Sequence, residues 1–325
     1  MTGIGEAAFL NCAGLTGVTM PAGLTSIGTH AFGECAGLTE VTIPPGVVSI
    51  GFGAFNDCRG MTSVTIPDSV TTIDDFAFSE CHSLTSVTIP ASVSSIGIGV
   101  FSDDPSLGGI FVDAANPHYS DVGGVLFDQS LTSLIQYPGG RGGSYAIPPG
   151  TVRLAASSFR GCRGLTVITI PDSVTSIGDW AFGDCNGLSS IAIPSSVTSI
   201  GDYALATCAG LNAISVDASN PSFSAIGGVL FDKAATRLVK RPPGMGGSYV
   251  IPASVTSIEA GAFAFCSGLT VVTIPTGVVT IGDDAFHECG ALTSVIVPDS
   301  VINLGSRAFF NCKALASVSL SNGLT

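Results

Sequence analysis

Residues 61–81 read MTSVTIPDSVTTIDDFAFSEC, and residues 165–185 read LTVITIPDSVTSIGDWAFGDC. Both stretches are copies of one repeat that ends on a cysteine. Cysteines recur every 23 residues in three runs, which are Cys12, Cys35, Cys58 and Cys81, then Cys162, Cys185 and Cys208, then Cys266, Cys289 and Cys312. A fixed period of this length is the signature of a repeat protein, in which each repeat is one supersecondary unit.

Each repeat divides into two extended segments and a turn. Residues 86–90, SVTIP, are β-branched, alternate in polarity and stop at a proline, which predicts a short strand. Residues 93–97, VSSIG, predict a second extended segment closed by a glycine, and residues 74–81, DDFAFSEC, begin with acidic residues that suit a single helical turn. The Leu, Val, Ile, Ala, Phe and Cys that recur in phase are predicted to point inward. Stacking of coils would then bury them in a continuous core.

Two gaps in the cysteine spacing mark long coils. Positions 104 and 162, like positions 208 and 266, lie 58 rather than 23 residues apart, so each gap holds 35 extra residues. The inserts match at an offset of 104, since residues 110–128 read IFVDAANPHYSDVGGVLFD and residues 214–232 read ISVDASNPSFSAIGGVLFD. We predict thirteen coils in a single solenoid over residues 1–325, with short coils at 1–106, 149–210 and 253–325 and long coils at 107–148 and 211–252.

The repeat L-x-x-V-T-I-P-x-x-V-x-x-I-x-x-x-A-F-x-x-C resembles that of the BspA-like leucine-rich-repeat family, over essentially the whole chain. The inserts resemble a long-coil variant of that family, for which we expect a projecting β-hairpin. The resemblance implies a right-handed solenoid with a parallel sheet on its concave face and short strands and single helical turns on the other. Departures are few, because only Asp104 for Cys, Leu205 for Phe and Ser158 for Ala break the pattern.

Composition and charge exclude several classes of protein. The chain is 46% hydrophobic and 11% charged, which excludes disorder. Its formal net charge of −13 disfavours nucleic acid and anionic lipid as partners, because both require clustered Lys and Arg. No run of about 18 apolar residues occurs, so no membrane insertion is expected. The opening MTGIGEAAFLNC shows neither the charged nor the apolar region of a signal peptide.

No constellation of residues in the sequence points to catalysis, to a bound metal or to a cofactor. There is no G-x-S-x-G, and GGRGGS at 139–144 lacks the G-K-(S/T) ending of a phosphate-binding loop. No C-x-x-C occurs, which disfavours zinc. The cysteine column is predicted to be a buried thiol ladder, because stacked neighbours would have parallel Cβ vectors, with some disulfide bridges as the alternative. We therefore expect a non-enzymatic protein.

The outward residues of the strands form the candidate binding surface. In V-T-I-P the threonine faces away from the core, which predicts a ladder of hydroxyls, although threonine is also simply a good strand residue. Phe111 and Ile296 interrupt this column, Glu40 lies two residues before it, and Trp180 and Tyr203 fall on successive turns. The candidate binding residues are Thr19, Glu40, Thr42, Thr65, Thr88, Phe111, Thr169, Trp180, Tyr203, Thr273 and Ile296.

The family resemblance implies a protein-interaction module of the adhesin type, secreted or at a microbial cell surface. Its partners would be extracellular matrix or cell-surface proteins of a host or a neighbouring cell. The concave face and the inserts, at about 113–145 and 217–249, would supply selectivity. Neither end shows a polar capping unit, so we also expect a fragment of a longer protein, or a structural spacer that self-associates through its ends. Ice or polysaccharide binding by the threonine ladder is a further alternative.

Overall fold

The computed structural model describes residues 2–320, which form strands and turns and no helix. The chain divides into two compact units. The first comprises residues 1–142 and 150–164, and the second comprises residues 143–149 and 165–325. The expectation about uncapped ends rests on residue 1 and residues 321–325, which lie outside the described residues.

The strands are short throughout. Up to residue 154 they are β1 (Gly3–Ile4), β2 (Ser26–Ile27), β3 (Glu40–Thr42), β4 (Ser49–Ile50), β5 (Ser63–Thr65), β6 (Thr72–Ile73), β7 (Ser86–Ile89), β8 (Ser95–Ile96), β9 (Gly109–Val112), β10 (Tyr119–Val122), β11 (Val125–Asp128), β12 (Ser133–Gln136), β13 (Gly143–Ala146) and β14 (Arg153–Leu154).

The remaining strands repeat the same two classes. They are β15 (Leu165–Thr169), β16 (Ser176–Ile177), β17 (Ser190–Ile193), β18 (Ser199–Ile200), β19 (Ala213–Val216), β20 (Phe223–Ile226), β21 (Val229–Asp232), β22 (Arg237–Lys240), β23 (Gly247–Val250), β24 (Ser257–Ile258), β25 (Leu269–Thr273), β26 (Thr280–Ile281), β27 (Ser294–Ile296), β28 (Asn303–Leu304) and β29 (Ser317–Ser319). Twelve of the thirteen predicted V-T-I-P positions form strands, and the segment around Val18 does not.

In the first unit, two parallel ladders run from coil to coil. The two-residue strands pair in the order β1-β2-β4-β6-β8, and we call them the back strands. The longer strands, which we call the front strands, pair as β3-β5 and β7-β9. Register follows the period, so that Thr42 lies opposite Thr65 and Ile50 opposite Ile73.

The second unit has the same plan. Its front strands pair in parallel as β13-β15, β17-β19 and β23-β25-β27-β29. Its back strands include the pair β16-β18 and the sheet β20-β21-β22-β24-β26-β28. In that sheet β20-β21 and β21-β22 are antiparallel, whereas the later pairs are parallel.

The residues predicted to point inward form the core. In the coil that begins at Leu38, the phase-locked residues are all at most 2% exposed, and they are Leu38, Val41, Ile43, Val47, Ile50, Ala54, Phe55 and Cys58. The phenylalanines stack in a column, with ring centroids 5.3 Å apart between Phe55 and Phe78 and 5.8 Å apart between Phe78 and Phe101. The inside and outside faces inferred from the repeat are confirmed.

The cysteine column is a ladder of free thiols. All ten cysteines are unpaired, and nine are buried while Cys12 is exposed. Buried Sγ atoms bond to backbone carbonyls of the preceding coil, as Cys58 does to the carbonyl of Phe32 at 3.2 Å and Cys81 to that of Phe55 at 3.3 Å. Burial raises the pKa of the Cys58 thiol to about 12. The thiol-ladder prediction is confirmed for the nine buried positions, and the disulfide alternative is wrong here.

The predicted helical turn is wrong. Residues 74–81 contain two residues with left-handed backbone, Phe76 at φ 55° and Glu80 at φ 62°. In a helix, each N–H bonds to a carbonyl one turn earlier in the same segment. Left-handed residues interrupt that pattern, so N–H groups of this segment can bond to the neighbouring coil instead. Accordingly the N–H groups of Phe76, Phe78 and Glu80 donate to carbonyls of residues 98, 100 and 102, each at 3.0 Å.

The first insert forms a hairpin that is folded into the unit. Strands β10 and β11 are antiparallel around Gly123 and Gly124, whose φ values of 59° and 81° suit a two-residue turn. The side chains of Val125, Leu126 and Phe127 in β11 are fully buried, so the hairpin does not project as expected. The second insert is built alike, with β20 and β21 joined at Gly227 and Gly228.

Candidate functional site

The outward column of the first unit lies on its front strands. Thr42, Thr65 and Thr88 are exposed, Thr42 is opposite Thr65, and Thr88 is opposite Phe111. Neighbouring parallel strands lie about 4.8 Å apart, so adjacent hydroxyls are within reach of one extended partner. Thr19 is exposed as well, although no strand forms around it.

The hydroxyls of this column are free to meet a partner. Among the described residues, none of the side chains of Thr42, Thr65 and Thr88 makes a hydrogen bond. Threonines elsewhere in the coil do bond, because the hydroxyl of Thr62 donates to the carbonyl of Thr39 and that of Thr25 to the carbonyl of Thr2. The outward threonines therefore differ from the threonines that tie coils together.

Phe111 sits at the end of this column and is 46% exposed. Its ring lies over two glycines, since a Cβ added at Gly109 would come within 2.8 Å of the ring and one at Gly124 within 3.4 Å. Arg141 buttresses the hairpin turn by donating to the carbonyls of Gly108 and Gly123. The insert thus holds an aromatic ring in place on the strand face.

Glu40 adds the only charge among the candidate residues on this face. It is exposed in β3, two residues before Thr42 and opposite Ser63. The candidate residues of the first unit consequently form a column of hydroxyls with one aromatic and one acidic position.

The outward column of the second unit contains exposed aliphatic side chains as well as threonines. Thr169 lies opposite Ala146, Thr273 opposite Val250, and Ile296 opposite Ser319. Val250 and Ile296 are each 70% exposed. The hydroxyl ladder is therefore interrupted by aliphatic side chains.

Sequence reasoning missed several of these aliphatic positions. Val167 and Val271 occupy the place that Ser63 and Ser86 fill in other repeats, and both are exposed. The signal was present, because LTVITIP and LTVVTIP differ from LTSVTIP at this one outward residue. Val250 follows the second insert, whose extra residues change the spacing and hide its column.

Trp180 and Tyr203 come together, but in the turns rather than on the strands. Their rings stack with centroids 5.1 Å apart and planes 14° apart. Both residues have left-handed backbone, and the Tyr203 hydroxyl donates to the Asp284 carboxylate at 2.9 Å. Burial and that carboxylate raise the pKa of Tyr203. These two candidates thus form a separate cluster within the second unit.

Residues 2–320 contain no group of three or more His, Cys, Asp or Glu side chains placed to hold a metal ion. They also contain no helix long and apolar enough to cross a bilayer.

Short parallel front strands, phase-locked core residues and stacked phenylalanines define a leucine-rich-repeat solenoid. The sequence profile of the BspA-type leucine-rich-repeat region (6 copies) matches residues 2–123, 143–240 and 247–325. The chain therefore belongs to the BspA-type leucine-rich-repeat family.

Solved structures show the same fold. A leucine-rich repeat protein from Eubacterium ventriosum is 27% identical, with a TM-score of 0.65 over 99% of this chain and 90% of that one. One from Bacteroides ovatus is 27% identical, with a TM-score of 0.50 over 100% of this chain and 77% of that one. The pneumococcal vaccine antigen PcpA is 19% identical, with a TM-score of 0.54 over 92% of this chain and 71% of that one. At this identity the likeness concerns the fold alone. No curated protein matches the chain.

Proposed function

We propose that this chain is an adhesin-type protein-interaction module, displayed at a microbial surface or secreted, that binds host or neighbouring-cell proteins through its front strands. The observation that carries the proposal is the exposed, unbonded hydroxyl column with large apolar side chains set into it. Solenoid faces of this kind offer extended binding surfaces to protein partners. Family membership supports the proposal.

The irregular residues would supply most of the binding energy. Interface energy concentrates in a few large side chains, surrounded by contacts that mainly exclude water. Two of the candidate residues predicted from the sequence are large, apolar and exposed in the outward columns. They are Phe111 in the first unit and Ile296 in the second. The threonines around them would satisfy backbone or side-chain polar groups of the partner at little desolvation cost.

The test is a binding screen of the purified chain against immobilised matrix proteins, repeated with Phe111→Thr and Ile296→Thr, which restore the common repeat residue. The matched control is Ile302→Thr, because Ile302 is 47% exposed but precedes the back strand β28. A hot-spot truncation costs about 2 kcal/mol or more, which weakens binding roughly thirtyfold.

We expect saturable binding that at least one front-strand variant loses and that Ile302→Thr retains. The proposal is wrong if no protein binds, or if the control variant loses as much affinity as the front-strand variants.

A further inference from the structure

The second unit contains a cleft of about 340 Å³ beside the back strand β18. Its lining includes Ser199, Ile200, Tyr203, Arg237 and Glu259. Small-molecule sites begin at about 300 Å³, so the cleft is large enough for a compact ligand. None of these side chains belongs to the front face on which the proposed function rests.

The internal duplication supplies a comparison for this cleft. At the offset of 104, Tyr203, Arg237, Lys240 and Glu259 correspond to Gly99, Ser133, Gln136 and Ala155 of the first long coil. All four replacements bring a larger or charged side chain to the cleft. The hairpin segment GGVLFD is identical in the two copies, so the two clefts can be compared residue by residue.

One difference leaves a hydrogen-bonding edge open. In the first unit the N–H of Ile96 donates to the Tyr119 hydroxyl at 2.9 Å, and that hydroxyl lies 3.5 Å from the carbonyl of Ser94. The tyrosine thereby covers the outer edge of β8, whose partner is β6 on the other side. A hydroxyl group is thus the natural complement of this strand edge.

The corresponding edge in the second unit has no such cover. The counterparts of Ile96 and Tyr119 are Ile200 and Phe223, and a phenylalanine has no hydroxyl to accept the N–H of Ile200. In the described part of this unit β18 pairs with β16, and Ile200 and Phe223 both line the cleft. A ligand hydroxyl could accept from the Ile200 N–H and donate to the carbonyl of Thr198, the counterpart of Ser94.

The two cations that line the cleft already have partners. Arg237 forms a double hydrogen bond with Glu259, at 2.9 Å and 2.7 Å. Lys240 is buried and donates to the carbonyls of Gly261 and Ala264, at 2.9 Å and 3.1 Å. Because both cations have partners, the cleft offers an anion little attraction. Paired carboxylate and guanidinium groups still have lone pairs and N–H groups that suit neutral hydroxyls.

An aromatic wall completes the cleft. The Tyr203 ring stacks on Trp180 and lies over Gly261, where an added Cβ would come within 2.7 Å of a ring carbon. Its hydroxyl is held by Asp284. Trp180 and Gly261 cover the ring, which therefore presents its edge to the cleft. A ring fixed in this way loses little entropy when a ligand contacts it.

We propose that this cleft binds a neutral polyhydroxylated ligand, namely a pyranose sugar residue. One sugar hydroxyl takes the place at Ile200 and Thr198 that the Tyr119 hydroxyl fills in the first unit. Arg237 and Glu259 bind further hydroxyls, and an apolar edge of the sugar contacts the edge of the Tyr203 ring.

The test uses glucose, galactose, mannose and N-acetylglucosamine as separate probes. Saturation-transfer NMR and titration calorimetry measure the binding of each sugar to the full chain. In Phe223→Tyr the added hydroxyl would accept the N–H of Ile200 in place of the sugar. We expect this variant to bind sugar about tenfold more weakly, which corresponds to the loss of one hydrogen bond. Glu259→Ala restores the first-copy residue and should also weaken binding. The matched control, Tyr119→Phe, opens the equivalent edge in the first unit and should leave sugar binding unchanged.

The expected result is saturable binding of at least one sugar, lost in Phe223→Tyr and Glu259→Ala and kept in Tyr119→Phe. Phe223→Tyr should fold, because Tyr119 occupies the equivalent place, and a thermal melt checks this. If it does not fold, Glu259→Ala carries the test. The proposal is overturned if none of the four sugars binds, if the folded cleft variants bind as well as the parent chain, or if sulfate displaces the sugar.

Discussion

Replacing Phe78 with alanine should destabilise the first unit severely. The Phe78 ring is fully buried, and its centroid lies 5.3 Å from that of Phe55 and 5.8 Å from that of Phe101. Truncation removes the ring from the middle of the column, so both neighbours lose a stacking face. Phe→Ala changes in cores cost about 3–5 kcal/mol, and each aromatic pair is worth about 0.5–1.5 kcal/mol beyond its buried area. We expect a loss in the upper half of the first range.

The matched control is Thr88→Ala, which alters an exposed residue of the adjoining front strand. Its hydroxyl makes no hydrogen bond to a described residue, so the change should cost less than about 0.5 kcal/mol. Urea unfolding followed by circular dichroism measures the free energy of unfolding of both variants. A repeat array can unfold in parts, so amide hydrogen exchange over residues 53–104 should be measured alongside it.

For Phe78→Ala, exchange should accelerate first in the coils that hold Phe55 and Phe101. The reasoning about inside and outside faces is refuted if Thr88→Ala destabilises the chain as much as Phe78→Ala does.

Two further predictions concern titratable groups. Asp104 is fully buried, and burial raises its pKa well above the ordinary value, so the native state holds a proton that the unfolded chain releases above about pH 3.9. Stability should therefore fall as the pH rises from that value towards the raised pKa of the native state. Asp104→Asn should unfold at higher urea than the parent at pH 7 but not at pH 3; equal shifts at both pH values would contradict this. A thiol reagent should label Cys12 alone in the native chain and all ten cysteines after denaturation, as mass spectrometry would show; rapid native labelling of Cys58 would speak against the buried ladder.

The period explains why so much of the fold could be predicted. Once the cysteines fixed the phase, every inward residue followed, because a coil that stacks on copies of itself must present the same residues to the core. Phe55 and Phe78 are buried for that reason, and the burial of each could be predicted from its position within the repeat.

The turns were harder, because backbone handedness is not visible in residues such as Phe76 and Glu80. Equivalent positions hold Gly53 and Gly99 in one column and Gly161 in the other, all with positive φ. These glycines were the available clue, since glycine adopts that conformation without strain. The acidic start of each turn pointed instead to a helix.

The candidate surface was predictable only where the repeat is regular. Thr42 and Thr65 face outward as expected, whereas Val250 could not be placed because the insert changes the spacing before it. The cleft beside β18 depends on residues from 198 to 261, and no local pattern brings those together.

The coil-to-coil hydrogen bonds set a rule for how such a chain can change length. Most join residues 22 to 26 positions apart, as Phe78 joins Val100 and Cys58 joins Phe32. A gain or loss of one whole coil would give every donor an equivalent acceptor on its new neighbour, whereas a change of a few residues would shift each later donor out of phase. Natural variants of this array should accordingly differ in length by whole coils, or by blocks as large as the 104-residue duplication.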